Sequence, residues 1–341
     1  MTHRVKNIYN QTEFQAQADE TILQAALKNG HLYPYGCQAG ACGACKSKLI
    51  SGEIKHLQRD PTVLSDVDLA AGYCLTCQAV PQGDIEIDVK EVAKVKEIEI
   101  KTMPARLREK NLLAEDVVQL FLSTPKAQNF DYLPGQYLNI LLKNGKERSF
   151  SIANTPKDAD ENGLELHIRV VPDGHYSPQV KNSLNVKDIL RIQGPFGTFF
   201  LRKDEQRPII MVAGGTGFAP IKALIEDARS AGLEQPIHLY WGARDEADLY
   251  LHDLAKQWTK DIPQFNYIPV LSNAADKTTW QGETGFVHEA VPAQHADLSA
   301  YTLYTAGPPV MINALKQSLS TLGMDNDFFY ADTFDYAAQS E

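Results

Sequence analysis

The stretch Tyr35-Gly-Cys-Gln-Ala-Gly-Ala-Cys-Gly-Ala-Cys45 places three thiols within nine residues and separates them almost entirely with glycine and alanine. Two more cysteines follow at Cys74 and Cys77, and the rest of the 341 residues holds none. Five cysteines are too few for a disulfide scaffold. Their confinement to one stretch points to a metal or cluster site in a reducing compartment.

Working outward, hydrophobic residues make up 43% of the chain and charged residues 22%, ordinary proportions for a globular protein. The length suits two or three domains at about 150 residues each. No run of about 18 apolar residues marks a membrane span. The first ten residues carry Arg4 and Lys6 without an apolar core, so no secretory leader is expected and the reading is cytoplasmic. With 33 basic against 43 acidic residues the formal charge is −10, the wrong sign for a general nucleic-acid binder.

Two site readings compete for the cysteines. Cys42-x2-Cys45 with Cys74-x2-Cys77 has the form of a four-thiolate zinc ribbon. Cys37-x4-Cys42-x2-Cys45 followed by Cys77 has the plant-type [2Fe–2S] spacing. Local composition decides for iron. A glycine- and alanine-rich loop can wrap a cluster closely and aim main-chain N–H groups at its sulfur atoms. A zinc ribbon would leave Cys37 without a task, and the 28 residues between Cys45 and Cys74 exceed the usual inner spacing of about 15–20. Cys74 then reads as a small buried apolar side chain.

The chain changes character twice. Residues 1–92 contain every cysteine and end in the alternating Ile85-Glu-Ile-Asp-Val89. After a Lys/Glu-rich connector, residues 93–204 show short β-like runs (117–122, 137–142, 164–171, 189–192). Asn144-Gly145, Asn162-Gly163 and Asp173-Gly174 mark turns between them, as in an antiparallel barrel. Residues 205–341 alternate strand and helix. Ile209–Ala213 leads into Gly214-Gly-Thr-Gly217 and a helix opening at Pro220, and apolar runs at 237–241, 267–271 and 301–305 complete a parallel-sheet pattern.

These residues bring a resemblance into view. The cysteine module, with Gly72-Tyr-Cys-Leu-Thr-Cys77-Gln, resembles plant-type ferredoxins. The whole chain resembles the three-module ferredoxin–flavin–NAD reductases that feed oxygenases, and especially those serving a CDP-deoxysugar dehydrase. Its marks are Lys101-Thr102, Gly194-Pro-x-Gly-Thr-Phe-Phe200, Gly214-Gly-Thr-Gly-Phe-Ala-Pro220, Gly285-Phe-Val-His288 and Phe329-x-x-Asp-x-Phe334. The resemblance implies a β-grasp ferredoxin domain, an antiparallel β-barrel FAD-binding domain and an α/β parallel-sheet NAD-binding domain. It implies Cys37, Cys42, Cys45 and Cys77 as ligands of a [2Fe–2S] cluster.

The same resemblance assigns the remaining site. Arg148-Ser149-Phe150-Ser151 is similar to the Arg-x-Tyr-Ser signature of flavin barrels. Arg148 would meet the FAD pyrophosphate, since a guanidinium fork matches phosphate oxygens. Ser151 would lie near the flavin N5, and Phe150, where the family more often has tyrosine, would keep a stacking face without the phenol. Gly174 and Ser177 match a second pyrophosphate contact, and His167, Ile168 and Arg169 would flank the ribityl and adenine portions. Gly214, Gly215, Thr216, Gly217 and Pro220 match the NAD(P) turn, a glycine approach to a pyrophosphate at a helix start. Ala306, Gly307, Pro308 and Met311 match the segment beside the nicotinamide, with alanine in place of the usual cysteine. Phe334 would cover the flavin ring. Arg244 could meet a 2′-phosphate, but Asp245, Glu246 and Asp248 follow and would repel one, so NADH is expected over NADPH.

The implied function is hydride transfer from NADH to FAD, then single-electron transfer through the cluster to a partner protein. An oxygenase or hydroxylase component is the expected acceptor, with a CDP-deoxysugar dehydrase, or free flavin or ferric ion, as alternatives. Residues 1–92 carry 8 basic and 11 acidic residues, too even a balance to select a partner by charge.

Overall fold

The computed structural model describes residues 2–57, 63–92, 98–172, 174, 176–273 and 280–334. Asp173 and His175 of the expected turn, and 93–97 of the connector, lie outside the described residues. Contacts divide the chain into two compact units. The first comprises Met1–Glu97 with the returning segments Gly197–Phe199 and Asp332–Tyr336, and the second comprises the rest.

In the first unit the elements are β1 (Thr2–Asn7), β2 (Thr12–Gln17), α1 (Ile22–Lys28), β3 (Lys46–Ser51), β4 (Ile54–His56), α2 (Asp66–Ala70), β5 (Tyr73–Leu75), β6 (Ala79–Pro81) and β7 (Ile85–Asp88). A five-stranded sheet runs β2-β1-β7-β3-β5, with β1 and β7 parallel and the other pairs antiparallel. In β2 the alternation buries Phe14 and Ala16 and exposes their neighbours, the period of a strand with one covered face. The cover is α1, which buries Ile22, Leu23, Ala25 and Ala26. Thr21 starts it with a reciprocal capping box to Gln24, satisfying two otherwise unpaired amides.

The second unit opens with β8 (Lys101–Ala114), β9 (Val117–Ser123), β10 (Tyr137–Leu141), β11 (Glu147–Ser151), α3 (Pro156–Asn162), β12 (Leu164–Arg169), α4 (Ser177–Asn182) and β13 (Ile189–Phe196). These strands form an antiparallel sheet in the order β11-β10-β13-β8-β9-β12. An Ile152–Leu166 bridge, just past β11, joins its two edges and closes it into a barrel. Its interior is filled by Leu107, Val118, Leu120, Leu138, Ile140, Leu166 and Ile192 among others.

The remainder is β14 (Ile209–Gly214), α5 (Phe218–Ser230), β15 (Ile237–Ala243), α6 (His252–Asp261), β16 (Phe265–Leu271), β17 (Glu283–Thr284), α7 (Val287–Gln294), β18 (Thr302–Gly307), α8 (Pro309–Ser320) and β19 (Phe329–Thr333). The sheet order is β17-β16-β15-β14-β18-β19, and the first five strands are parallel. Every residue of β14 and β18 is buried, as central strands covered on both faces must be. Helix α5 begins at Phe218, two residues before Pro220, because a single 3-10 turn over Gly215–Gly217 already carries the chain into helical geometry.

Candidate functional site

The cysteine loop between α1 and β3 contains no helix or strand. Gln38, Gly40 and Gly43 take positive φ there, a left-handed path that only glycine adopts without strain. That path folds the thiols into two pairs. The Cys37 amide donates to Cys42 Sγ at 3.4 Å, the Ala39 amide to Cys37 Sγ at 3.4 Å, and Cys45 Sγ lies 3.2 Å from Cys77 Sγ. Gln78, next to Cys77, ties back to the loop through the Gln38 carbonyl at 2.9 Å. Within each pair one thiol is acidified by the other's hydrogen bond. Cys37 falls to about 6, helped by the Ala39, Ala41 and Cys42 amides, while Cys42 rises. Cys77 falls and Cys45 rises for the same reason.

Four sulfur donors in two pairs, ringed by main-chain N–H groups, fit a dinuclear cluster with two thiolates on each iron. Among the described residues no group of three or more His, Cys, Asp or Glu side chains has the arrangement of a metal-ion site. Cys74, on β5 opposite Ser47, joins neither pair, and burial pushes its thiol up to about 12.

In the second unit the glycine turn after β14 is packed so closely that side chains are excluded. A Cβ on Gly217 would come 2.0 Å from the Ala306 carbonyl oxygen, and one on Gly214 would come 2.5 Å from Met311 Sδ and 3.1 Å from Pro308. Gly215, at φ +54°, faces the Arg169 guanidinium, and its carbonyl accepts from Trp241 Nε1 at 3.1 Å. The fold thus brings Gly214–Gly217, Ala306, Pro308, Met311 and Arg169 together. Trp241 and Phe218 stack beneath the turn with centroids 3.7 Å apart and planes 5° from parallel. Among the described residues, buried Arg169 Nε and Asp116 Oδ1 have no partner, while Arg169 Nη1 meets Asp116 Oδ2 at 3.1 Å. A cradle of glycines with an unspent guanidinium donor beside it fits a pyrophosphate.

Arg244, at the end of β15, is exposed and already engaged. Its Nε donates to Asp248 Oδ2 at 3.0 Å, and its Nη2 lies 3.6 Å from Asp116 Oδ2. The Asp248 bond comes first in raising its pKa.

The flavin motif lies on β11. Ser151 is buried, Ser149 Oγ donates to Asn139 Oδ1 at 2.7 Å, and Phe150 packs near Tyr176 with centroids 6.2 Å apart. Arg148 is partly exposed, and among the described residues its side chain donates only to the neighbouring Glu147 carbonyl. Among the described residues the buried Tyr176 hydroxyl has no partner. Ser177 Oγ accepts from the Val171 amide at 3.0 Å, and a Cβ on Gly174 would lie 3.0 Å from that oxygen. The free donors of Arg148 and Tyr176 fit an anionic ligand along this face. Ile168 is part of the barrel interior. Phe334 is partly exposed just past β19 and belongs to the first unit.

His167 is buried and held by two partners. Its Nε2 lies 2.8 Å from Glu165 Oε1 and its Nδ1 3.1 Å from the Tyr250 hydroxyl. It belongs to a buried polar network that the sequence motifs did not disclose. Lys222 Nζ donates to Glu165 Oε2 at 2.9 Å, Glu226 Oε2 at 3.0 Å and the Ala153 carbonyl at 3.0 Å. Gln119 Nε2 donates to Glu165 Oε1 at 2.6 Å. Burial opposes the charge on Glu165, but the His167 bond and Lys222 outweigh it and hold the carboxyl at about 2. For Lys222, burial opposes the charge and the two glutamates more than offset it, raising its pKa. Burial lowers His167, against the opposing pull of Glu165. The available signal was a single lysine inside the apolar run Phe218–Ile225.

Comparison with known proteins agrees with this geometry. The 2Fe-2S iron-sulfur cluster binding domain matches residues 7–82, the oxidoreductase FAD-binding domain 104–201 and the oxidoreductase NAD-binding domain 211–317. The chain is 39% identical over 321 residues to the CDP-6-deoxy-L-threo-D-glycero-4-hexulose-3-dehydrase reductase of Yersinia pestis, covering 94% of this chain and 95% of that one. It is 33% identical over 334 residues to the terephthalate 1,2-dioxygenase reductase component 2 of Comamonas sp, covering 98% of each. The crystal structure of an Amycolatopsis cytochrome P450 reductase superposes with a TM-score of 0.77 at 29% identity, covering 99% of this chain and 100% of that one. Paired thiols, a closed flavin barrel and a glycine turn on a parallel sheet therefore occur in one chain because it belongs to the family of [2Fe–2S], FAD- and NAD-binding reductases.

Proposed function

We propose that this reductase serves an oxygenase or hydroxylase component in the cytoplasm, using NADH. The observation that carries the reading is the paired-thiol loop on the same chain as a flavin barrel and nucleotide turn, in a full-length match to a dioxygenase reductase. When bound, FAD and the cluster convert a hydride's electron pair into single electrons, and cofactors of this kind bring the chemistry while the protein sets position and access.

In this reading the modules span 1–92, 93–204 and 205–341. Cys37, Cys42, Cys45 and Cys77 hold the cluster. Arg148 and the Gly174–Ser177 segment hold the FAD pyrophosphate, Ser149, Phe150 and Ser151 line the flavin, and the His167–Arg169 strand borders it. Gly214–Gly217 and Pro220 receive the dinucleotide, with Ala306, Gly307, Pro308 and Met311 beneath the nicotinamide. Engagement of Arg244 by Asp248 and Asp116 supports NADH over NADPH. A second reading, a dehydrase as acceptor, is favoured by the 39% identity to the Yersinia reductase.

The test is reconstitution. Purified protein should release FAD on acid treatment, and NADH should drive electrons into a Rieske or diiron oxygenase component. Reduction of a deoxysugar dehydrase but of no oxygenase component would favour the second reading. Release of FMN alone would defeat the flavin assignment.

A further inference from the structure

The Glu165–Lys222 pair joins the two parts of the site that must cooperate in hydride transfer. Glu165 is the second residue of β12, on the barrel. Lys222 sits in the second turn of α5, the helix that starts directly from the Gly214–Gly217 turn. Lys222 does more than neutralise Glu165. Its third bond goes to the Ala153 carbonyl, two residues beyond Ser151, and the Ala153 amide in turn donates to the Glu165 carbonyl at 2.8 Å. One ammonium group thus grips the chain leaving the flavin strand and the helix leaving the nucleotide turn.

A second connection runs in parallel. Glu165 holds His167, His167 meets the Tyr250 hydroxyl, Tyr250 lies edge-on to Trp241 with centroids 5.2 Å apart, and Trp241 donates to the Gly215 carbonyl.

A buried ion pair contributes little net stability compared with apolar residues of the same shape, because removing both charges from water offsets their attraction. Fixed geometry is what such a pair supplies. Lys222 makes three contacts within 3.0 Å, to Glu165, Glu226 and the Ala153 carbonyl, and the other Glu165 oxygen meets His167 and Gln119. A fully satisfied polar network of this kind has one arrangement and resists sliding, whereas an apolar contact tolerates it.

We infer that Lys222 and Glu165 are positioning residues for hydride transfer: they fix the nucleotide turn against the flavin strand and so set the approach of the two reacting rings. The inference rests on the reductase reading above. Neither residue is assigned a contact with substrate or cofactor.

The test is anaerobic stopped-flow reduction of the holoprotein by saturating NADH, together with the long-wavelength charge-transfer absorbance of the nucleotide–flavin complex. Lys222→Met should slow flavin reduction roughly tenfold or more, within the range expected for a misplacement of about 1 Å. It should also weaken the charge-transfer band, with flavin and iron content per chain unchanged. Lys222→Arg should restore most of both signals. Should Lys222→Met fail to fold, the double variant Lys222→Met with Glu165→Gln removes the charge on Glu165 as well, leaves only the partly exposed Glu226 without its lysine, and should show the same two defects. A parent-like rate and band in either variant overturns the inference and leaves the pair a purely structural one. A parent protein that NADH does not reduce would instead defeat the reductase reading itself.

Discussion

Gly217 is pressed against the Ala306 carbonyl so closely that a Cβ there would sit 2.0 Å from the oxygen. Both partners are main chain, on β18 and in the turn after β14, so neither can swing away. Gly217→Ala should therefore displace the turn and cost about 1–3 kcal/mol of stability in that module. Reduction by NADH should fall to a small fraction of the parent rate, with the visible iron–sulfur absorption unchanged. Anaerobic reduction followed at the flavin band checks it, and a parent-like rate would show that the turn accommodates a methyl group.

Arg244 offers the means of changing nucleotide preference. Asp248 occupies its Nε and Asp116 lies on its other side. Asp248→Asn should free the guanidinium to meet a 2′-phosphate. We expect kcat/KM for NADPH relative to NADH to rise roughly tenfold, about the worth of one charge-assisted hydrogen bond. Steady-state rates with ferricyanide measure the ratio, and no change would mean that Arg244 does not reach the ribose.

The thiol pairs predict a sharp contrast between two cysteines three positions apart. Cys77→Ser breaks the Cys45–Cys77 pair and should cost the cluster, abolishing electron transfer to cytochrome c. Cys74→Ser, outside both pairs, should retain the visible absorption and that activity. Two-electron reduction of a small dye should survive in both. Loss of the absorption in Cys74→Ser, with retention in Cys37→Ser, would transfer the metal to the CxxC…CxxC set.

The buried network sets an acid limb. Glu165 is ionised in the fold down to about 2 but titrates near 4.5 when unfolded. Its contribution is therefore complete above about 4.5 and disappears as pH falls towards 2. Glu226, raised by burial, acts with the opposite sign and above the ordinary glutamate value of 4.5, outside the window in which Glu165 titrates. Lys222, with its raised pKa, keeps its contribution up to the ordinary lysine range. Urea unfolding from pH 3 to 7 should show a shallower acid decline for Glu165→Gln than for the parent, and identical slopes would rule out Glu165 as the source.

What the sequence disclosed follows from how local each feature is. The cysteine spacing and the Gly214–Gly217 turn are short motifs whose geometry is set within a few residues, so both could be read directly. The strand runs at 117–122, 189–192 and 209–213 fall inside β9, β13 and β14, and the run at 137–142 overruns β10 by one residue, because clustered apolar residues mark strands whose neighbours are turn residues. The 14-residue β8 was not legible as one strand, since Arg106, Arg108, Glu109 and Lys110 interrupt its apolar positions. Glu165, Lys222 and Asp116 carried no motif at all. Their ion pairs Glu165–Lys222, Asp116–Arg169 and Asp116–Arg244 join residues 57, 53 and 128 positions apart, separations that no local pattern encodes.

The way residues 197–199 return to the first unit bears on how reductases of this kind can be recombined. Thr198 is stitched to Tyr35, two residues before Cys37, through its amide at 2.9 Å and through a hydroxyl that both gives to and receives from Tyr35 at 3.0 Å. A chimaera that cuts at the connector and grafts a foreign cysteine module carries across only half of this stitch. The graft therefore works as a unit only when the Gly197-Thr-Phe199 strip travels with the module whose loop it hems.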